Sequence, residues 1–446
     1  MIRLVFPAPL YQRLKYNFVP EPGPETAAIA FTVGGDLAPA PQILRRRLVR
    51  EIWIPKEPDY LVRTHTSVTL KPDYVLAALV HAQSEKYGVV FIHSHPTEDY
   101  PRFSSMDDSA ESSLRNLFEA RAPERIHVSV VVGNHGVSAR VLGRDVPVHV
   151  SVLGRRLNVL TGEEGQEEER YNRQIEVLSQ KGQRRLVELL IAIVGLGGTG
   201  SVVAQQLAYL GFRRFLLIDS DSIELSNLNR VVGALETDVG TRKVDVARRM
   251  IKAIQPSACV DVMSDDICEE SAIRNVALAD AIMCCTDSHG SRAVINRLAY
   301  QYLIPTIDMG ARIDISREGS VSLRGRVQLL SPGESCLLCH ELLDADRVRF
   351  ELQSELERKR DPYGLPEHAK QPAVISLNST VSSLAVTMLL QVITSLDGEV
   401  RSLRYDGITA RARELVAKQV PTCPDCSEKY YAAGDSEPLF CRRKVA

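Results

Sequence analysis

The stretch LIAIVGLGGTGSVVAQQLAYLGFRRFLLID, residues 190–219, sets an apolar run, a glycine-rich turn, a longer apolar-rich segment and a second apolar run in succession. Read as strand, helix and strand, that alternation predicts a doubly wound parallel sheet. Gly195, Gly197, Gly198 and Gly200 fall between the first strand and the helix. Glycines there let backbone amides approach a phosphate at a helix N-terminus. Asp219 ends the second strand, where a ribose-binding acid belongs. So far a dehydrogenase and any other dinucleotide-binding domain fit equally well.

The residues downstream of Asp219 do not suit hydride transfer. The runs DSIELSNLNRVV (221–232), TRKVDVARRM (241–250) and CCTDSHGSR (284–292) add Asn227, Arg230, Lys243 and Asp287. Two cations, an amide and an acid beside a phosphate loop suit a reaction in which a carboxylate attacks the α-phosphate of ATP. Charge builds on that phosphate, and Mg²⁺ needs an oxygen ligand. With these residues in place, residues 170–440 closely resemble the ubiquitin-activating superfamily in its bacterial ThiF/MoeB form. The segment RYNRQIEVL (170–178) matches that family's entry segment. The resemblance implies a homodimer in which Arg173 reaches the partner's ATP site. It also implies Asp219 on the ribose hydroxyls, Asn227, Arg230 and Lys243 on phosphates, and Asp287 on Mg²⁺.

SCLLCHE and PTCPDCS place Cys336, Cys339, Cys423 and Cys426 in two CxxC pairs. Four thiolates make a closed tetrahedral zinc site, which is structural and not catalytic, and the same zinc staple belongs to the ThiF/MoeB pattern. Relatives that proceed to a thioester or persulfide carry a nucleophilic cysteine in the crossover before an uncharged helix. Here that crossover, ELERKRDPYGLPEHAKQPAVIS (355–376), has none. Of the other cysteines, Cys259, Cys284 and Cys285 read as strand residues packed in the core. Cys268 is flanked by acids that raise a thiol pKa, and Cys441 has basic neighbours in a terminal tail. A thioester on Cys268 or Cys441 stays open.

A second chemistry lies upstream, in FIHSHPTEDYPRFSSMDD, residues 91–108. His93 and His95 are two apart on a strand end, so both imidazoles reach one side. Ser104 and Asp107 come next, with the spacing that sets a serine at a helix start and a carboxylate one turn in. Two histidines and a carboxylate leave a fourth zinc position open, as a hydrolase requires. Asp108, paired with Ser105, is the alternative register. This part of the chain resembles the JAMM (MPN-type) metalloprotease family, which removes ubiquitin-like proteins or trims their tails. The resemblance implies zinc on His93, His95 and Asp107, and Ser104 bonded to the developing oxyanion. It makes Glu25, in PETAAIAFTVGG, the general base that moves a proton from water to the leaving amine. Glu21 is the fallback.

At 446 residues the chain is too long for one ordinary core. The run TGEEGQEEER (161–170) is nearly free of apolar residues and reads as part of a linker. The expected organisation is a small α+β domain over residues 1–155, an acidic linker over 156–169, and a Rossmann-like doubly wound domain over 170–446. A net charge of −2 gives no general basic surplus for nucleic acid. No apolar leader opens the sequence, and residues 371–396 are uncharged but scattered with Ser, Thr, Asn and Gln. That segment reads as a buried or subunit-contact helix, not as a membrane span. Nine cysteines with two CxxC pairs suit a reducing, cytoplasmic compartment. The expectation is a bifunctional enzyme with two zinc ions, ATP and Mg²⁺. It would process or deconjugate the C-terminus of a small ubiquitin-like or sulfur-carrier protein, adenylate its terminal glycine, and hand it to a conjugating enzyme as a further partner. The alternative is a peptide-modifying adenylating enzyme whose metal domain is a non-catalytic binding module.

Overall fold

A computed structural model of the protein describes residues 2–18, 23–35, 45–122, 125–161, 169–361, 372–394, 396–398, 400–427 and 431–442. Glu21 and residues 362–371 of the crossover lie outside the described residues. The chain forms two compact units, one from Met1–Glu164 with Ala432–Pro438, the other from Gly165–Tyr431 with Leu439–Ala446.

The first unit contains strands β1 (Ile2–Pro7), β2 (Ala27–Gly35), β3 (Arg45–Trp53), β4 (Tyr60–Arg63), β5 (Val68–Leu70), β6 (Gly88–Ser94), β7 (Val128–Val132), β8 (Val137–Val141), β9 (Val148–Leu153) and β10 (Leu157–Val159). Its helices are α1 (Ala8–Asn17), α2 (Pro72–Ser84) and α3 (Ser105–Arg121). Eight strands pair in the order β10-β9-β1-β3-β2-β6-β7-β8, and β4–β5 is a separate ribbon. Strands β2 and β6 are apolar on both faces because both faces are covered. Ala28, Ala30, Val90 and Ile92 pack with Leu4 and Phe6 of β1 and Leu14 of α1. The alternate residues Ala27, Ile29, Phe31 and Val89 pack with Ala78, Leu79 and Ala82 of α2 and Phe118 of α3. The expected linker boundary needs correction: Leu157–Val159 pair with β9 and so belong to this sheet, although they fall inside that linker.

The second unit contains α4 (Asn172–Glu188), β11 (Leu190–Val194), α5 (Gly198–Leu210), β12 (Arg214–Ile218), α6 (Lys243–Ile254), β13 (Cys259–Met263), α7 (Glu270–Val276), β14 (Ala281–Cys284) and α8 (His289–Gln301). It continues with β15 (Thr306–Ile315), β16 (Val321–Leu330), α9 (Ala345–Glu351), α10 (Glu355–Arg360), α11 (Ile375–Ile393), β17 (Ser402–Asp406) and β18 (Arg411–Glu414). The sheet order is β13-β12-β11-β14-β15-β16-β17-β18. The first five strands run parallel and the last three add antiparallel. Strand order reverses between β11 and β14, so a crevice opens at their carboxyl ends, where such sheets bind ligands. The uncharged α11 buries Leu377, Val381, Ala385, Leu389 and Val392 against its own unit, packing on α5, β15 and β16. Apolar residues recurring every three to four positions explain that buried stripe.

Candidate active sites

In the first unit, β2 and β6 pair antiparallel with Ala27 opposite His93. Past the last pair, Thr26 N donates to Ser94 Oγ at 2.9 Å and Ser94 N donates to Thr26 O at 3.0 Å. The same register carries Glu25 alongside His95. Across from them α3 begins. Ser104 N and Ser104 Oγ both donate to Asp107 Oδ2, at 2.6 and 2.8 Å, and Asp107 N donates back to Ser104 Oγ. This reciprocal cap aims the Asp107 carboxylate at the strand end. His93 Nε2 lies 2.9 Å from Asp107 Oδ1, and His95 Nε2 lies 3.7 Å from Asp107 Oδ2. Three ligand atoms of these residues lie within 4.8 Å of one another.

The residues fit a zinc ion. A tetrahedral site with bonds near 2.0–2.2 Å has edges of about 3.4 Å, close to the separations here. Both His93 ring nitrogens are buried without a well-aligned hydrogen bond, although Nε2 is close to Asp107. A cation would satisfy the inward nitrogen that the protein leaves unpaired. His95 Nδ1 sits 3.2 Å from Glu98 Oε1, an outer partner that orients the ring. Glu98 was not among the expected residues, although its position three after His95 in HSHPTE is the signal that finds it. The register ambiguity is decided by the helix: Asp107 faces the histidines, whereas Asp108 is exposed and pairs with Arg140 at 2.7 Å. Ser104 lies at the site, but its hydroxyl proton is held by Asp107. The role its geometry displays is to orient that carboxylate.

Glu25 is 8% exposed. Burial pushes its carboxyl up from 4.5 to about 7, opposed by His95 and reinforced by Asp107 and Glu98. A carboxyl poised near neutrality can both accept and return a proton. Asp107 is held below the usual carboxylate range. Burial works against that, and the close approach of His93 together with the hydrogen bonds from Ser104 outweighs burial.

In the second unit the glycine loop joins β11 to α5. Gly195 has φ +87°, and a Cβ there would fall 2.9 Å from the Cys285 carbonyl. A Cβ at Gly200 would fall 1.8 Å from Gly195 O, so the helix start is packed onto the strand end. Around Gly197 nothing lies within 4 Å, which makes it the open side of the loop. Asp219 accepts from Leu196 N at 2.6 Å and Asp221 N at 2.8 Å. Burial raises its pKa, with Lys243 the leading opposing charge. Lys243 Nζ bridges to Asp221 at 2.7 Å. Arg230 lies over the loop, its Cδ 3.3 Å from the place a Gly198 Cβ would occupy, and its Nη1 donates to Ser226 O. Asn227 is buried and accepts from Glu224 N at 3.2 Å. Asp287 is exposed on the loop after β14, beside Cys285, whose carbonyl accepts from Thr199 Oγ1 at 3.5 Å. The structure thus gathers the glycines, Asp219, Arg230, Lys243 and the Asp287 loop at the switch point. Arg173 is exposed on α4, and among the described residues no hydrogen bond or ion pair ties it to that group.

The paired CxxC cysteines come together. Cys336 Sγ is 3.8 Å from Cys339 Sγ and 3.5 Å from Cys423 Sγ, and Cys339 Sγ is 3.6 Å from Cys426 Sγ. A zinc ion bonded to four sulfurs at 2.3 Å needs edges of about 3.8 Å, so the four residues fit a closed structural site. The remaining cysteines depart in part from expectation. Cys284 is buried, but Cys285 is only half-buried, and Cys259 is exposed because β13 is the edge strand. Cys268 is buried, and its thiol is pushed up to about 12 by burial first and the Asp266 charge second. The acids expected to raise it are therefore the smaller cause.

Residues 171–426 match the ThiF family. Similar proteins include the sulfur carrier protein ThiS adenylyltransferase of Escherichia coli strain K12, 28% identical over 261 residues, covering 58% of this chain and 94% of that protein. The SAMP-activating enzyme E1 of Haloferax volcanii is 26% identical over 267 residues, covering 58% of this chain and 89% of its own. The molybdopterin-synthase adenylyltransferase of Escherichia coli strain K12 is 26% identical over 265 residues, covering 59% and 98%.

Proposed function

The chain belongs to the ThiF family through residues 171–426, and from that premise we propose that it uses ATP to adenylate the C-terminal carboxylate of a small ubiquitin-like or sulfur-carrier protein. We further propose that the first unit forms a zinc-dependent (iso)peptidase acting on the same C-terminus. The observation that carries the joint reading is Glu25, poised near neutrality beside His93, His95 and Asp107, in a chain whose other unit gathers a phosphate-binding set. Processing a C-terminus and activating it use one substrate.

In the second unit the carboxylate attacks the α-phosphorus and pyrophosphate leaves. Asn227, Arg230 and Lys243 would bind and neutralise the phosphates, Asp219 would hold the ribose hydroxyls, and Asp287 would offer an oxygen to Mg²⁺. Arg173 would act across a homodimer, which accounts for its separation from the other residues. In the first unit, zinc held by His93, His95 and Asp107 would polarise the scissile carbonyl and acidify water. Glu25 takes a proton from the attacking water and returns it to the leaving amine. Ser104 holds Asp107 in place, and a second zinc on the four cysteines would be structural.

One observation favours a narrower reading, in which an outside nucleophile consumes the acyl-adenylate and the metal unit only binds a partner. The crossover 355–376 has no cysteine, and the Cys268 thiol is buried and hard to ionise. The experiment measures zinc per chain, ATP–pyrophosphate exchange with a Gly-Gly-ended ubiquitin-like protein, and cleavage of a fusion after that Gly-Gly. Two zinc ions, exchange, and cleavage lost in His93→Ala support the full reading. Exchange without cleavage leaves the narrower one, and no exchange refutes both.

A further inference from the structure

We propose that Asn378, in the first turns of α11, holds the carboxylate that attacks ATP, an inference that rests on the adenylation reading. The surroundings of Gly198, the first residue of α5, carry it. A Cβ built on Gly198 would fall 2.2 Å from Asn378 Nδ2 and 3.1 Å from Asn378 Cγ. Arg230 Cδ would lie 3.3 Å from the same point, so the two side chains converge on this glycine. At neighbouring Gly197 nothing lies within 4 Å. The loop is therefore open beside the point where Asn378 touches it.

Asn378 is 5% exposed. Among the described residues its carboxamide makes no hydrogen bond, and neither of its polar atoms is fully enclosed. A buried amide without a partner is costly, and an apolar side chain would pack α11 on α5 without that cost. The placement is fixed from further along the helix. Ser382, four residues on and so on the same face, donates from Oγ to Thr199 O at 3.0 Å. Gln206 Nε2 of α5 donates to Ser383 Oγ at 2.8 Å. These two bonds hold α11 against α5 in the register that sets Asn378 on Gly198.

The start of α11 also favours an anion. Val374 at the cap makes no side-chain hydrogen bond, and the first turn carries no acid. A helix of 19 residues begun in this way keeps unpaired N–H groups and a partial positive charge at that end.

Adenylation brings two anions together, and two helix N-termini meet at Gly198. The α-phosphate has the glycine loop at the start of α5, with Arg230 and Lys243. That leaves the carboxylate for the start of α11. A neutral amide suits this task, because it can donate to one carboxylate oxygen while the other attacks. A cation there would stabilise the free carboxylate more than the developing anhydride, and the step would slow. The attacking oxygen bonds to the α-phosphorus, the bridging oxygen leaves with the bonding pair as pyrophosphate, and no proton moves. Asn378 then donates to the carbonyl oxygen of the acyl-adenylate.

The test titrates the full chain in a calorimeter with ATP, AMP and glycylglycyl sulfamoyladenosine, a non-hydrolysable mimic of the acyl-adenylate. The variants are Asn378→Ala and the isosteric Asn378→Asp. AMP lacks the acyl group and reports whether the nucleotide site is folded. Binding of the mimic weakened about tenfold or more in both variants, with AMP bound as by the unaltered chain, supports the proposal. Equal binding of the mimic overturns it. So does a loss of AMP binding as large as that of the mimic, which would make Asn378 a packing residue. If the unaltered chain binds neither ATP nor the mimic, the adenylation reading falls and takes this proposal with it. If the unaltered chain binds both and the variants match it, the role of Asn378 falls alone.

Discussion

Replacing Asp308 by asparagine should unfold the C-terminal unit more easily than any surface change in it. The carboxylate has no exposed surface. Arg326 Nη2 lies 2.5 Å from one of its oxygens and Arg292 Nε lies 3.6 Å from the other. Neither oxygen receives a well-aligned hydrogen bond, so the attraction is mainly charge on charge. Removing one partner of a buried pair costs about 3–5 kcal/mol, because the remaining charge is stranded in low dielectric. Poor alignment places this case near 3 kcal/mol on that scale. Arg292 also donates to Thr286 O and Met309 O, both at 3.1 Å. Loss of its counter-ion should therefore loosen the loop carrying Asp287 and weaken binding of ATP with Mg²⁺. Urea unfolding separates the units, since the single tryptophan, Trp53, reports only the first and far-UV circular dichroism follows the helices of both. The expected result is an unchanged tryptophan transition and an earlier dichroism transition. Adding Arg326→Met should restore part of the loss by removing a stranded charge. A loss under about 1 kcal/mol, or no rescue, would show that water or rearrangement solvates this cluster and would refute the reasoning.

The other predictions concern the two sites. Glu25→Gln should keep zinc but slow cleavage about a hundredfold or more; full activity would remove Glu25 from the proton path. In metal-free protein the raised Glu25 pKa means that the folded unit binds the extra proton. Its contribution to stability is present below 4.5 and lost as pH rises to about 7. Glu25→Gln should remove that downward slope in an unfolding titration. Gly200→Ala should destabilise the second unit by about 1–3 kcal/mol through overpacking, because its Cβ meets backbone at 1.8 Å, whereas Gly197→Ala should leave the fold intact. Equal melting temperatures for those two variants would contradict the described packing. Cys423→Ser should lower zinc content by one per chain with the His93 site still loaded, as measured by mass spectrometry of the metal.

Spacing along the backbone carried much of the sites. HxH on a strand end, Ser-x-x-Asp at a helix start, CxxC turns and a glycine loop are local devices, because strand and helix periods alone decide which side chains share a side. That is why the clustering of His93, His95 and Asp107 and of the four CxxC cysteines was legible in the sequence, as was the strand–helix–strand order around Gly195. Burial and counter-ions were not. Cys259, which reads as a core strand residue, lies exposed on an edge strand, whereas Cys268, set among acids, is buried. Asp107 and Asp108 are neighbours, and only the docking of α3 turned one toward the histidines and the other toward Arg140. Sheet register brings Arg312 of β15 and Arg413 of β18, 101 positions apart in the chain, onto adjoining cross-strand rows. Local pattern fixes a side chain's direction; its neighbours there are set by segments far away in the chain, and desolvation and charge pairing depend on that meeting.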